Sequence, residues 1–178
     1  MSMAKTALYR MPHRRRREQK TDYRVRLPLI RSGKVRAVIR KSGSHMVVQF
    51  IKWEKDGDRT LLTVTSQHLK KFGWEAGTGN VPSAYLTGLL AARLAKAVGV
   101  GDVIADLGMQ VSTKGSRLYA AIRGLIDGGL DVPCDKKMLP DDSRIKGVHI
   151  EKWEERNDLQ KRFAEVKAKI ESGSGKND

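Results

Sequence analysis

The chain contains 178 residues, enough for one domain with appendages, and its 35 Lys and Arg against 20 Asp and Glu give a formal net charge of +15. A single cysteine, Cys134, excludes an intramolecular disulfide and a zinc site built from thiols, and the scattered histidines argue against any metal site. With no apolar run of membrane-spanning length and no secretory segment, the sequence predicts an intracellular protein without a membrane partner, metal or cofactor.

The surplus of positive charge is not confined to one end of the chain. Residues 1–33 carry ten Lys and Arg against two acidic residues, whereas residues 151–178 carry seven of each. The rest of the surplus therefore belongs to residues 34–150. A basic tail on a neutral domain would fit a targeting signal, but a basic tail on a basic domain favours a large anionic partner such as nucleic acid.

Residues 1–33 are interpreted as a basic N-terminal arm, closed by Pro28 and by a turn at Ser32 and Gly33. The arm has too few apolar residues to offset the entropy lost on ordering it, so it is not expected to build a core. Its arginines suit a dense polyanion because guanidinium groups contact phosphates bidentately and release condensed counterions. A solvated or nuclear-targeting tail is the alternative interpretation.

The segment after the arm has the pattern of β-strands. Strands are predicted at residues 35–40, 45–53 and 59–65, and the turn at 54–58 contains the Asp-Gly pair typical of a hairpin. The three strands are expected to form an antiparallel meander. The second is nearly continuous in apolar residues, which predicts a central strand buried on both faces.

After residue 65 the hydrophobic period changes from 2 to 3.6. The predicted elements are a short helix at 67–72, a loop at 77–82, a helix at 83–98, a strand at 102–107, a helix at 116–127, an irregular stretch at 130–148 and a helix at 151–172. Together with the meander they predict a single α/β (α+β) domain with a mixed sheet flanked by helices.

The predicted domain boundaries follow from these elements. Residues 34–150 form the globular domain, and residues 151–178 form a C-terminal helix with a flexible tail. The terminal helix has an apolar stripe that needs a partner surface. The sequence leaves open whether that surface belongs to the same domain or to another molecule.

Three basic, polar segments fall where an RNA-facing surface would be built: the arm, the first hairpin at 40–45, and residues 112–117. The last opens a helix, where amide groups, the helix dipole and two cations suit a phosphate. Plain N-capping by Ser112 or Thr113 is the alternative. Tyr9, Tyr23 and His45 lie among cations and are candidates for stacking on unpaired bases.

Catalysis has weak support in the sequence. Asp102 and Asp106 are spaced to share one face of a strand, but about 13 Å apart at the rise of a strand. With no His or third acid to complete a site, a structural or RNA-orienting role is favoured for them. No nucleophile–base pair is found, so neither an enzyme nor a small-molecule substrate is predicted.

Several ordered segments together resemble one known family, the ribosomal large-subunit protein eighteen family in its archaeal-type branch. The resemblance covers about residues 9–152. It is carried by RRRREQKTDYR at 14–24, VIRKSGSH at 38–45, PSAYLTGLL at 82–90, DLGMQVSTKGSR at 106–117 and LPDDSRIKGVHI at 139–150.

The resemblance implies a structural constituent of the large ribosomal subunit, located in the cytoplasm. Such a protein binds 5S rRNA and helps attach it to the large-subunit rRNA and the central protuberance, beside a neighbour of the protein five family. A free-standing RNA chaperone and an RNA-processing enzyme with a basic recruitment arm are the alternatives from other classes.

The match also implies which residues contact RNA. They are Arg14, Arg15, Arg16, Arg17, Lys20, Tyr23, Arg24 and Arg26 in the arm, Arg40, Lys41, Ser42 and His45 in the hairpin, and Lys114, Ser116 and Arg117 before the helix. Gly43 and Gly79 depart from the family pattern, which has Asn more often at both positions. Side-chain contacts there are therefore not implied.

Overall fold

The computed structural model describes residues 7–154 and 158–173. Within these ranges the fold is organised around a four-stranded sheet in the order β3-β2-β1-β4. The strands are β1 (Val35–Lys41), β2 (Met46–Glu54), β3 (Gly57–Thr65) and β4 (Val103–Asp106). β1, β2 and β3 form the expected antiparallel meander, and β4 pairs parallel to β1. The predicted mixed sheet is confirmed.

The expected burial of β2 on both faces is wrong. Its side chains alternate, with Met46, Val48 and Phe50 fully buried and the residues between them partly exposed. β1 is instead the strand that is buried on both faces, from Arg36 to Ile39. Both strands have hydrogen-bonded neighbours on each side, so the difference arises because the N-terminal segment lies over Arg36 and Val38 of β1.

One face of the sheet is covered by the helices α3 (Val81–Ala97) and α4 (Arg117–Asp127). α3 begins two residues earlier than expected, because the Asn80 side chain accepts from the Ser83 amide at 2.9 Å and proline is tolerated in a first turn. The two helices cross closely. A Cβ added at Gly88 would lie 2.1 Å from the Ala121 carbonyl oxygen.

The other face is covered by part of the N-terminal segment. This segment contains α1 (Arg14–Arg17) and α2 (Tyr23–Arg31), with the Asp22 side chain capping α2. Pro28 lies inside α2 and does not close this segment, whereas the expected turn at Ser32 and Gly33 directly follows the helix. All nine residues of α2 remain at least partly exposed, and Val25 and Leu29 line a groove against the sheet. The division into arm, domain and terminal helix stays a prediction.

The C-terminal part is more helical than expected. Residues 130–148, predicted to be irregular, contain a 3-10 turn at Lys136–Met138 and α5 (Asp142–Lys146). The predicted last helix is two helices, α6 (Val148–Glu154) and α7 (Leu159–Ser172), while residues 155–157 and the predicted tail at 174–178 lie outside the described residues. α7 packs on its own domain and buries Leu159, Phe163, Val166 and Ile170 in the common core.

Candidate nucleic-acid interface

The turn between β1 and β2 is closed by Ser42. The Ser42 amide donates to the His45 carbonyl at 2.9 Å. The Ser42 Oγ accepts from the His45 amide at 3.0 Å and donates to the His45 carbonyl at 3.1 Å. The hydroxyl therefore shapes the turn, and the side chain stays exposed where an RNA contact is predicted.

A loop at residues 77–80 packs directly against this turn, which the sequence analysis did not foresee. Thr78 Oγ1 donates to the Ser44 carbonyl at 2.8 Å. A Cβ added at Gly79 would lie 2.9 Å from the Gly43 carbonyl oxygen, whereas nothing among the described residues lies within 4 Å of one added at Gly43. The missing side chain at Gly79 is what allows the loop and the turn to touch.

His45 joins the turn to the loop through Nδ1, and its Nε2 contacts Gln67 of a 3-10 helix at Ser66–Phe72. Nδ1 lies 3.0 Å from Thr78 Oγ1, and Nδ1 must be the donor because the Thr78 hydroxyl gives its own proton to Ser44. The Gln67 amide lies 3.1 Å from Nε2 and donates to it. Both ring nitrogens are thus engaged in hydrogen bonds. The predicted stacking would therefore use the ring face and not the nitrogens.

The loop before α4, residues 107–116, reaches the same end of the sheet. The Gln110 side chain accepts from the Lys41 amide at 3.3 Å and donates to the Lys41 carbonyl at 3.2 Å. Gln110 thus pairs with the end of β1 much as a neighbouring strand would. Because β1 and β4 run parallel, the loop leaves the sheet beside the end of β1.

Arg117 ties the three loops together. Its Nη1 donates to the Gly79 carbonyl at 2.6 Å and lies within 3.4 Å of the Gly43 carbonyl. We call the resulting surface the basic edge, made of residues 40–45, 77–80 and 107–117. The two basic loops singled out in the sequence are therefore adjacent.

The start of α4 differs from the capping alternative considered for the sequence. Ser116 is the N-cap residue, not Ser112 or Thr113. The Ser116 Oγ is buried and has no hydrogen-bond partner in the described parts of the chain. Lys114 is exposed just before it. Free amides, a helix dipole and a nearby cation can hold a phosphate at this point.

A chain of ion pairs lies behind the basic edge. Arg40 lies 3.2 Å from Asp106 Oδ1 and donates to the Asp106 carbonyl at 2.6 Å. Arg36, only 3% exposed, pairs with Asp106 at 3.1 Å and with Asp58 at 2.7 Å. Asp58 also pairs with Arg26 of α2 at 2.6 Å. Three arginines and two aspartates alternate, so each buried charge has a partner of opposite sign.

This network agrees with the structural or RNA-orienting role expected for Asp106, because Asp106 fixes Arg40 at the basic edge. Asp102 lies outside the network and pairs with Lys34 at 3.9 Å. The sequence pattern did not mark Arg36 as part of the site. Its only local signal is an arginine inside an otherwise apolar strand.

The predicted residues of the arm lie in different surroundings. Arg14 to Arg17, Lys20 and Arg24 are exposed. The Tyr23 ring meets the His13 ring edge-on, with centroids 5.5 Å apart. Arg15, Lys20 and Arg26 line a groove of about 240 Å³ between the arm and the open face of the sheet, together with Arg40. The structure thus brings part of the arm beside the basic edge.

Titratable groups do not gather into a catalytic centre in the part of the chain that the structure describes. No three His, Cys, Asp or Glu side chains there approach one another as metal ligands would. Groups with shifted pKa values lie elsewhere. Burial raises the pKa of the Tyr85 hydroxyl, helped by a hydrogen bond to Asp127, and burial lowers the pKa of His149.

Fold and surface together define a class of protein. A small α+β domain presents Arg40, Lys41, Lys114 and Arg117 on one edge, and none of the three loops contains Asp or Glu. Neighbouring cations on ordered loops are the mark of a protein that binds a large polyanion, and RNA-binding proteins without catalytic machinery have this character.

Comparison with known proteins identifies the family. Residues 7–105 match the family described as ribosomal large subunit proteins 60S L5 and 50S L18. The large ribosomal subunit protein uL18 of Korarchaeum cryptofilum is 47% identical over 167 residues, covering 92% of this chain and 86% of that protein. The uL18 protein of Methanothrix thermoacetophila is 50% identical, over 82% of this chain and 86% of that protein. The uL18 protein of Methanococcoides burtonii is 44% identical, over 94% of this chain and 97% of that protein. The chain belongs to this family.

Membership confirms the resemblance seen in the sequence, including the archaeal-type branch, because these relatives come from archaea. The protein is a structural component of the large ribosomal subunit, bound to ribosomes in the cytoplasm, and it is not an enzyme. The alternative of an RNA-processing enzyme is thereby excluded. Separately, no helix within residues 7–154 and 158–173 is long and apolar enough to cross a bilayer.

Proposed function

We propose that this ribosomal protein binds 5S rRNA and helps attach it to the large-subunit rRNA at the central protuberance, beside a protein of the protein five family. The observation that carries the proposal is the meeting of three loops without acidic residues at the basic edge, joined by Arg117. The family resemblance points to 5S rRNA as the ligand, and the geometry supplies a surface suited to folded RNA.

The predicted contacts divide into two kinds. The exposed cations of the arm, from Arg14 to Lys20, follow the phosphate backbone and add affinity through counterion release. The basic edge instead offers Arg40, Lys41 and Lys114 from loops that are already hydrogen-bonded to one another. Fixed cations lose little entropy on binding, so the edge selects the shape of the RNA.

The test compares 5S rRNA with an unrelated RNA of the same length, using the full chain. At about 0.2 M salt, where non-specific binding is weak, we expect 5S rRNA to bind at least ~100-fold more tightly. Filter binding or fluorescence anisotropy measures both affinities. Similar affinities for the two RNAs would contradict the proposal and would show that this ribosomal protein binds RNA without preference for 5S rRNA.

A pair of single substitutions tests whether the basic edge is the binding surface. Lys114→Ala removes an exposed cation from the edge, and it should weaken binding of 5S rRNA and reduce the salt slope by about 1. Lys96→Ala is the matched control, since it removes an exposed cation near the far end of α3, about 25 Å from the loop at 77–80. Equal losses of affinity in the two variants would show that binding depends on the total charge of the protein and not on the position of the cation.

A further inference from the structure

The first part of the loop before α4 is held to the domain at every second residue. The Gly108 amide donates to the Asp106 carboxylate at 2.9 Å. Gln110 pairs with the backbone of Lys41, and Ser112 bonds through its hydroxyl to the hydroxyl of Tyr119. Residues 108, 110 and 112 therefore anchor an ordered segment, which turns over residues 107–110, where the Gln110 amide donates to the Leu107 carbonyl at 3.3 Å.

The two residues between these anchors leave their apolar side chains open to solvent. Met109 is 52% exposed and Val111 is 73% exposed. Single exposed apolar residues are common on protein surfaces and need no explanation. Here, however, two of them stand two positions apart on a loop whose backbone is fixed by its neighbours. Binding to such a pair costs little conformational entropy, because the loop is already ordered.

The surroundings of the pair indicate what covers it. The charged residues of the three loops are Arg40, Lys41, Lys114 and Arg117, all of them cations. The adjoining Asp106 carboxylate is already engaged by Arg36, Arg40 and the Gly108 amide. An apolar spot inside a field of cations complements a ligand that combines an apolar face with several anionic groups. A nucleotide whose base is not stacked has this composition, since its flat base is flanked by phosphates.

We propose that Met109 and Val111 form the apolar contact for an unstacked nucleobase of the bound RNA, while the cations of the basic edge hold the adjoining phosphates. The proposal rests on the proposed function, because it names a subsite within the RNA-binding surface. Met109 and Val111 were not among the residues that the sequence pattern marked, since an apolar residue in a loop carries no charge signal.

The test uses salt dependence to separate an apolar contact from a phosphate contact. The double variant Met109→Ser with Val111→Ser should bind 5S rRNA about tenfold more weakly, because the apolar area that it removes would otherwise be buried on the base. Its salt slope should equal that of the unchanged protein, because no cation is lost. Lys114→Ala should instead reduce the slope by about 1.

Chemical probing of the RNA supplies a second readout. The unchanged protein should protect one or two unpaired bases, and the double variant should lose that protection while keeping the protection of the backbone. Val98→Ser is the matched control, because Val98 is 56% exposed just beyond the far end of α3. All four substituted side chains are exposed, so circular dichroism should show unchanged folding.

Full affinity in the double variant, or a reduced salt slope, would overturn this proposal. Loss of binding to a neighbouring ribosomal protein with RNA binding unchanged would overturn it too, and would assign the pair to a protein contact. None of these outcomes affects the preference for 5S rRNA over unrelated RNA in the unchanged protein. The proposed function and this subsite can therefore fail separately.

Discussion

The two faces of the sheet are covered in different ways. On one face, α3 and α4 pack through apolar side chains and through backbone that meets at glycines, as at Gly88 and Gly124. On the other, α2 lies over charged side chains and is fixed by the pair between Arg26 and Asp58. The first face buries apolar area and so provides the stability of the domain. The second positions the segment that bears the arginine-rich arm.

On the charged face, a small number of ion pairs fixes the position of α2. Arg36 is almost completely buried, and its charge is compensated by ion pairs with both Asp58 and Asp106. Oδ2 of the same Asp58 also accepts a hydrogen bond from the Arg26 guanidinium of α2. A buried arginine thus fixes the carboxylate that docks the arm. Substitutions on the apolar face should affect the whole domain, and those on the charged face should act locally.

The largest effect is expected from Gly88→Ala on the apolar face. The new Cβ would lie 2.1 Å from the Ala121 carbonyl oxygen, so α3 and α4 would have to move apart. We expect a loss of at least ~3 kcal/mol in the free energy of unfolding, because both partners at the contact are helix backbone. Urea unfolding followed by circular dichroism measures this change.

Gly101→Ala is the control for this substitution. Gly101 has ordinary backbone angles, and no described atom lies within 4 Å of a Cβ added there. Its unfolding free energy should change by less than ~1 kcal/mol. If Gly88→Ala were equally mild, the close crossing of α3 and α4 would not be the feature that stabilises the apolar face.

The second effect concerns the arm and is expected in binding alone. Deleting residues 1–20 removes seven Lys and Arg but leaves α2 with its cap at Asp22. Several phosphate contacts disappear, so affinity for 5S rRNA at about 0.2 M salt should fall by ~100-fold with a shallower salt slope. The circular-dichroism spectrum and the unfolding midpoint should stay close to those of the full chain. Loss of the folded signal would show that the arm supports the domain.

Much of the fold could be predicted because its signals are local. The Asp-Gly turn and the β-branched runs predict the meander, and the period of 3.6 predicts α4 to within a residue. The helix α2 was missed because its composition is that of a solvated tail. Its order depends on the Asp22 cap and on the docking of Arg26 to Asp58, which is 32 residues away.

The candidate site also contains parts with a local sequence signal and parts that depend on distant contacts. Charge and the family pattern mark the two basic loops, but not the loop at 77–80 that joins them. That loop belongs to the site because Gly79 approaches Gly43, a contact that a local pattern does not reveal. The partners of Arg36 are also distant in sequence, since Asp106 lies 70 residues further on.

The smallest effect is expected from Asp58→Asn, which tests the charged face. The amide keeps the shape of the side chain but removes the charge that faces Arg26 and Arg36. We expect α2 to lose ~1 kcal/mol of docking, because the pair is partly exposed and therefore screened. Hydrogen exchange of the α2 amides and trypsin cleavage after Arg24 and Arg26 should both become faster. Asp56→Asn, in the same hairpin turn, is the matched control and should leave both rates unchanged. Unchanged protection of α2 in Asp58→Asn would mean that the groove contacts of Val25 and Leu29 hold the helix. Both faces of the sheet would then be covered through apolar packing.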